Sequence, residues 1–226
     1  MFTTLKRMIE KRSTSRKFSW KTAVFIKDSL WRIHHFAKYS LNIITKQSTH
    51  TKIFGIGLAK TGTSSLAHAL KILGFRTHHY SENILKDMAI HDALCDMPIQ
   101  TRYKEYDKKY PNSKFILTIR DREPWLLSCE KWWALEFSSL YDLQDPLFKY
   151  REEQFGCYFF DKAIFEKVYD QHIKDVTEYF KERPNDLLIL NICGGDGWAK
   201  LCTFLNKDIP SISFPKKNRN SKKKAA

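Results

Sequence analysis

The sequence predicts an α/β protein, a three-layer sandwich in which helices cover both faces of a mainly parallel sheet. Short apolar runs alternate with helix-like stretches from Thr51 onward, as they do in βαβ units. Two of these runs, residues 114–119 and 187–191, are apolar on both faces, as buried parallel strands are. The chain has 226 residues, of which 42% are hydrophobic, so it is large enough to bury one core.

The elements are predicted in the following order. Strands are expected at 52–56, 75–78, 93–96, 114–119 and 187–191, and helices at 63–73, 100–110, from about 124, at 161–181 and at 198–205. Gly74 suits the end of the first helix, because glycine adopts the left-handed conformation found there. Pro111 ends the second helix, and Pro124 suits a first helical turn.

The net charge of +14 lies outside the predicted sheet domain. Residues 1–50 carry 11 basic and 2 acidic side chains and residues 216–226 carry 6 basic and no acidic ones, which leaves 51–215 at about −1. We therefore predict a basic N-terminal arm with an amphipathic helix, a central domain and a basic tail. The arms suit anionic lipid, acidic partners or RNA rather than specific nucleic-acid recognition.

No uncharged apolar run reaches the ~20 residues that cross a bilayer, so a cytoplasmic protein with at most peripheral membrane contact is expected. The composition of the arm is also shared with organelle transit peptides, and this alternative stays open. The five cysteines form no C-x-x-C pair and are expected to be mostly reduced and buried.

A glycine-rich turn, GIGLAKTGTSSL, connects the first strand to the first helix. Backbone amides at such a helix N terminus converge, and the helix dipole adds positive charge, so the natural ligand is a phosphate or sulfate. Gly57 and Gly62 have the Walker A spacing, but Thr63 and Ser64 stand where that motif needs Lys and Ser/Thr. The lysine is Lys60, inside the loop, which argues against an ordinary ATP or GTP role.

This loop resembles the 5′-phosphosulfate-binding loop of sulfotransferases that use 3′-phosphoadenosine 5′-phosphosulfate (PAPS). YPNSKFILTIRDREPWLLS resembles the 3′-phosphate motif of the same family, with Arg120 at a strand end and Ser128 eight positions later on the next helix. LLILNICGGDGW and FPKKN are also similar to family segments. The resemblance spans roughly residues 52–218 and implies the P-loop NTPase-like fold of sulfotransferases.

The resemblance implies a metal-independent, in-line transfer of a sulfuryl group to a hydroxyl, or an amine, of an acceptor. Lys60 would stabilise the bridging oxygen of the leaving 3′,5′-ADP, and the loop amides would bind the sulfuryl oxygens together with three hydroxyl side chains. These are Thr61, Thr63 and Ser64. Gly194, Gly197 and Lys200 partly match a G-x-x-G-x-x-K element that contacts the 3′-phosphate in many sulfotransferases.

Three residues, Asp96 and two adjacent histidines, are candidates for the general base. The family commonly has His or Glu at a strand end 20–25 residues before the 3′-phosphate arginine, and here Asp96 stands 24 residues before Arg120. An aspartate needs a raised proton affinity, or favourable geometry, to act as a base. His78 and His79 also stand at a strand end and are the alternatives; of these, His79 is included among the catalytic candidates.

No H-x-x-x-H, H-E-x-x-H or Asp cluster occurs near the loop, so no metal site is predicted. Aromatic residues from 125 to 160 are expected to supply core and, in part, the wall of an acceptor cavity. The expected acceptor is a carbohydrate, a lipid or a small molecule. Two other functions stay open: a P-loop small-molecule or nucleotide kinase, and a non-catalytic membrane- or RNA-associated protein with a degenerate P-loop.

Overall fold

A computed structural model describes residues 51–137 and 146–217 of the chain. Within these residues, five parallel strands form one sheet in the order β2-β3-β1-β4-β5. The strands are β1 (Ile53–Gly55), β2 (Thr77–His79), β3 (Ala93–Cys95), β4 (Lys114–Thr118) and β5 (Leu187–Leu190). The predicted α/β class and parallel sheet are confirmed.

Helices connect and flank the strands. They are α1 (Thr63–Ile72), α2 (Ile84–Ile90), α3 (Tyr103–Lys109), α4 (Arg122–Phe137), α5 (Pro146–Phe155), α6 (Lys162–Tyr179) and α7 (Trp198–Leu205), with 3₁₀ turns at Ile99–Thr101 and Pro184–Asp186. The sequence pattern missed α2 and α5. The helix predicted for 100–110 is divided into the first 3₁₀ turn and α3.

The core has two sides because successive residues of a strand point to opposite faces of the sheet. On β1, Ile53 packs in one cluster with Leu66 of α1 and Leu201 of α7. The adjacent Phe54 packs in the other with residues of α3 and α6, where its ring stacks on Tyr106 at 5.3 Å between centroids. These two clusters are the two interfaces of a three-layer sandwich.

The prediction that β5 is a buried strand was wrong. In the described part of the chain β5 pairs with β4 alone, so it is an edge strand. Ile189 on β5 is accordingly 40% exposed. The apolar run LLIL does not distinguish an interior strand from an edge strand, because the pattern records side chains and not the number of neighbouring strands.

Several predictions concern residues outside the described ranges. The amphipathic helix of the arm and the end of the basic tail are among them, and they stay predictions. In the part that the structure describes, no helix is both long and apolar enough to span a membrane. The five cysteines are free, and Cys95, Cys129 and Cys202 are buried, whereas Cys193 is exposed.

Candidate active site

The glycine-rich turn runs over the end of β4 at a distance that permits no side chain at Gly57. A Cβ atom at this position would lie 1.9 Å from Thr118 Oγ1 and 2.5 Å from the Thr118 carbonyl oxygen. Glycine is therefore needed for the close approach of two backbones rather than for an unusual dihedral angle. This contact fixes the start of the loop against the central strands of the sheet.

Donors from outside the loop bind its carbonyl oxygens. They are His172 Nε2 to Ile56 O at 2.8 Å, Trp125 Nε1 to Ala59 O at 2.9 Å and Arg120 Nη1 to Lys60 O at 3.4 Å. Burial lowers the pKa of His172, so the neutral ring that donates to Ile56 O is favoured. The outer side of the loop is thus held by α4, α6 and the end of β4.

Several amide groups of the loop, unlike these carbonyl oxygens, are not hydrogen-bonded within the part of the protein that the structure describes. Among the described residues, the N–H groups of Lys60, Gly62 and Thr63 have no protein acceptor. Gly62 is the N-cap of α1, has a φ of 109° and provides no capping side chain. Unsatisfied amides at a helix N terminus, together with the helix dipole, attract an anion. The loop therefore has the donors of an anion site.

The Thr61 hydroxyl shapes the loop. It donates to Leu58 O at 2.6 Å and lies 2.6 Å from Thr118 Oγ1, and the whole residue is buried. Thr61 was predicted to bind a sulfuryl oxygen through its side chain, but its hydroxyl is engaged between the loop and β4. Thr118 was not predicted from the sequence to be important. Its contacts explain why residue 57 is a glycine and why residue 61 is a threonine.

The other two loop hydroxyls meet both candidate bases. Thr63 Oγ1 donates to Asp96 Oδ2 at 2.8 Å and lies 3.2 Å from His79 Nε2. Ser64 Oγ lies 3.1 Å from the same nitrogen, and His79 Nε2 is 2.9 Å from Asp96 Oδ2. The structure therefore brings Thr63, Ser64, His79 and Asp96 into one network at the first turn of α1.

Asp96 is held as a carboxylate. Burial acts to raise its pKa, but hydrogen bonds from His79, Thr63 and the Met97 N–H outweigh this effect, so the pKa of Asp96 is lowered. Its backbone has a φ of 72°, in the left-handed region, at the carboxyl end of β3. This conformation directs the residue toward the loop at a strand end where open α/β sheets place their sites.

His78 does not join this network, although it is adjacent to His79. Its Nε2 atom lies 3.4 Å from Asp87 Oδ2, on α2. Of the two histidines that the sequence offered as alternatives to Asp96, the structure places only His79 at the loop.

Lys60 occupies the apex of the loop with a φ of 71°. Its ammonium group lies over the ring of Trp132, 5.4 Å from the centroid. A cation over an indole is favourable and can be exchanged for a stronger anionic partner. Trp132 belongs to the aromatic stretch noted in the sequence, where no spacing identified it as the partner of Lys60.

Arg120 follows β4 and adjoins the loop. Its backbone N–H donates to Tyr169 Oη at 3.1 Å, and the Tyr169 hydroxyl donates in turn to Arg120 O. Ser128 is half-buried on α4. No hydrogen bond joins the side chains of Arg120 and Ser128 among the described residues, so their predicted shared ligand stays a prediction.

Comparison with known proteins identifies the family of the chain. A family model described as a sulfotransferase domain matches residues 52–91 and 82–223. This chain belongs to the sulfotransferase domain family. It is also 26% identical over 214 residues to the Ava biosynthesis cluster protein M of Aspergillus versicolor, a match that covers 73% of this chain and 79% of that protein.

The segment after β5 contacts the loop of this sulfotransferase through Ile192 and Cys193, and the predicted contact of Gly197 and Lys200 with a 3′-phosphate stays a prediction. Lys200 Nζ pairs with Asp196 at 2.8 Å, and Gly197 precedes α7 in an extended conformation beside Phe214. No described contact joins Lys200 to the loop. Instead, Ile192 lies against Gly62, where a Cβ would approach it to 3.4 Å, and Cys193 Sγ lies 4.0 Å from Thr61 O.

Proposed function

We propose that this sulfotransferase moves a sulfuryl group from PAPS to an acceptor hydroxyl, without a metal ion. One observation carries the proposal. The loop amides that lack a protein acceptor stand at the N terminus of α1, next to the network of His79 and Asp96. An anionic donor and a group that takes a proton from the acceptor would then lie side by side, as an in-line displacement requires.

The proposed donor site has two cationic side chains. Lys60, at the loop apex, would leave the Trp132 ring and stabilise negative charge on the bridging oxygen as the S–O bond breaks. Arg120 is fixed by Tyr169 at the end of β4, and its guanidinium already contacts the loop at Lys60 O. A guanidinium in this position suits the dianionic 3′-phosphate of the donor.

The two candidate bases receive different roles. Asp96 accepts three hydrogen bonds and has a lowered pKa, so it is a poor proton acceptor. It orients His79 by accepting from Nε2–H, which leaves the lone pair on Nδ1. Imidazole takes protons near neutral pH. The acceptor oxygen bonds to sulfur, its proton goes to His79, and 3′,5′-ADP leaves with the electrons of the broken S–O bond.

The proposed acceptor is a small molecule in preference to a carbohydrate polymer or a lipid. The support is the name of the Aspergillus versicolor relative, which assigns that protein to a biosynthesis cluster. Contact of the basic arms with a membrane surface is a separate proposal, based on their charge alone.

Calorimetric titration of the full chain tests the donor. We expect 3′,5′-ADP to bind without metal at roughly micromolar Kd, about −8 kcal/mol, and AMP and Mg·ATP to bind far more weakly. A preference for Mg·ATP would contradict the proposal and favour a kinase, and absence of binding to any of the three would favour a non-catalytic protein.

Arg120 gives a matched pair of variants. Arg120→Ala should weaken 3′,5′-ADP by about 10–100-fold, the loss of one or two charge-assisted hydrogen bonds, and leave AMP unchanged. Arg122→Ala is the control, because Arg122 pairs with Asp170 on the exposed surface at 2.8 Å. Equal weakening of both nucleotides by Arg120→Ala would refute the assignment to the 3′-phosphate.

A further inference from the structure

A second cluster of ionisable side chains lies beside α2. It consists of His78 on β2, Asp87 on α2 and His91, the residue that follows α2. One nitrogen from each imidazole and one carboxylate oxygen lie within 4.8 Å of one another. The cluster has no part in the network around the loop, because His78 contacts Asp87 whereas His79 contacts Asp96 and α1.

The separation between His78 and Asp87 fits two ligands of one ion better than a hydrogen bond. His78 Nε2 lies 3.4 Å from Asp87 Oδ2, whereas N–H···O bonds are usually about 2.7–3.2 Å long. Two atoms bound tetrahedrally to zinc, each at about 2.0–2.2 Å, are about 3.3–3.6 Å apart. The pair is therefore spaced to coordinate a metal with little movement.

The contacts around the cluster orient its ligand atoms. The Ser81 hydroxyl donates to Asp87 Oδ2 at 2.6 Å, and His91 Nδ1 lies 3.1 Å from the carbonyl oxygen of Asp87. When Nδ1–H donates to that carbonyl, Nε2 of His91 keeps its lone pair. Metal-binding histidines usually have their second nitrogen held in this way, and ligating carboxylates are hydrogen-bonded in turn.

The elements that carry the cluster are firmly held, and solvent reaches it. The buried Lys52 ammonium donates to Met88 O at 2.8 Å and to His91 O at 2.7 Å, which fixes the end of α2. The His78 side chain is 36% exposed and that of Asp87 is 12% exposed. An ion can therefore enter from the side of His78 and displace little protein.

We propose that His78, Asp87 and His91 bind one Zn²⁺ ion, with water as the fourth ligand. Two imidazoles and a carboxylate suit zinc, cobalt or nickel better than Mg²⁺ or Ca²⁺, which prefer oxygen ligands. Because the site involves α2 and the other side of β2, the ion stabilises the packing of α2 and takes no part in sulfuryl transfer. The sequence motifs do not indicate this site, because its ligands follow the pattern H-x₈-D-x₃-H.

Thermal unfolding and calorimetry of the full chain with ZnCl₂ or MgCl₂ test the proposal. At a hundredfold excess of free Zn²⁺ over its Kd, we expect the Tm to rise by about 5–10 °C, and Mg²⁺ to cause no rise. Co²⁺ should give the intense visible absorption of tetrahedral coordination. Wild-type protein that shows neither a zinc-dependent rise nor this absorption would overturn the proposal.

Variants assign the effect to these residues rather than to other histidines of the chain. His78→Asn changes a partly exposed side chain and should lower zinc affinity at least about tenfold and abolish the cobalt absorption. Asp87→Asn should do the same, since an amide is a weaker ligand. His68→Asn, which removes a half-buried imidazole from α1, is the control and should bind zinc as the wild type does. If Zn²⁺ stabilised both His78→Asn and Asp87→Asn as much as it stabilises the wild type, the proposed site would be refuted.

Discussion

His78 and His79 are neighbours in the chain and have different surroundings. His79 meets a buried carboxylate and two hydroxyls at the first turn of α1, and His78 meets Asp87 and the ring of His91, 4.9 Å away between centroids. The alternation of side chains along β2 separates the two imidazoles. The two histidines are therefore unrelated positions, and the helix that each one faces determines its contacts.

The largest effect is expected on the side of β2 that faces the loop. His79→Gln should lower kcat by about 10²–10⁴-fold, the usual contribution of a general base, because Asp96 cannot take over proton removal. The measurement is the initial rate with PAPS and a reactive hydroxyl acceptor.

Binding of 3′,5′-ADP is the control for His79→Gln, since it should be close to that of the wild type. Zinc stabilisation should also be retained, because the two histidines serve separate sites. A variant that lost zinc stabilisation together with its rate would contradict the separation of the two sides of β2.

Lys60→Ala should lower kcat by about 10²–10³-fold, the cost of removing one group that stabilises developing charge. The affinity for 3′,5′-ADP should fall much less, because Lys60 acts mainly on charge that appears during the transfer. Single-turnover rates and calorimetry separate the two effects. Parallel losses of affinity and rate would mean that Lys60 mainly binds the nucleotide.

Thr61→Val should lower the free energy of unfolding by about 1–2 kcal/mol, because it leaves Leu58 O and Thr118 Oγ1 without the buried hydroxyl between them. Thr177→Val is the matched control, since the Thr177 hydroxyl bonds to carbonyls of its own helix. Urea unfolding measures both variants. An equal or smaller loss for Thr61→Val would argue against its role in shaping the loop.

The smallest expected effect is a change in how the stability of the chain depends on pH in acid. The folded chain lowers the pKa of Asp96 below the ordinary value of 3.8. The carboxylate therefore contributes stability above pH 3.8, and this contribution is lost as the pH falls through the lower folded pKa. Asp96→Asn should be less stable at neutral pH and lose less stability in this acid range. Urea unfolding across this pH range measures the stability of both proteins. An identical acid dependence of the variant and the wild type would contradict a lowered pKa.

Much of the fold was predictable because local patterns determined it. The limits of α7 agree with the predicted 198–205, and four of the five strands lie within the predicted ranges. The short helix α2 contains seven residues, ILKDMAI, with no strong amphipathic repeat, and was missed. The edge position of β5 depends on its neighbours rather than on its own sequence.

The sequence indicated several of the residues that meet at the loop but not the contacts that they make. The loop motif indicated Lys60, Thr61 and Thr63, and the family's usual position for the base indicated Asp96, yet the Thr61 hydroxyl was assigned to a ligand. Its actual partner, Thr118, is 57 residues away in the chain. The pairing of His78 with Asp87 likewise depends on how β2 and α2 pack, which no local pattern records.

The position of Lys60 over Trp132 also has an optical consequence. A cation 5.4 Å from an indole ring alters the electronic environment of that ring. At the proposed donor site, departure of the ammonium toward a bound anion would change the fluorescence of Trp132, and this tryptophan would then report on donor binding. Trp132→Phe would remove this contribution to the fluorescence. The enzyme thus contains its own indicator for rapid-mixing measurements, with no need for an attached label.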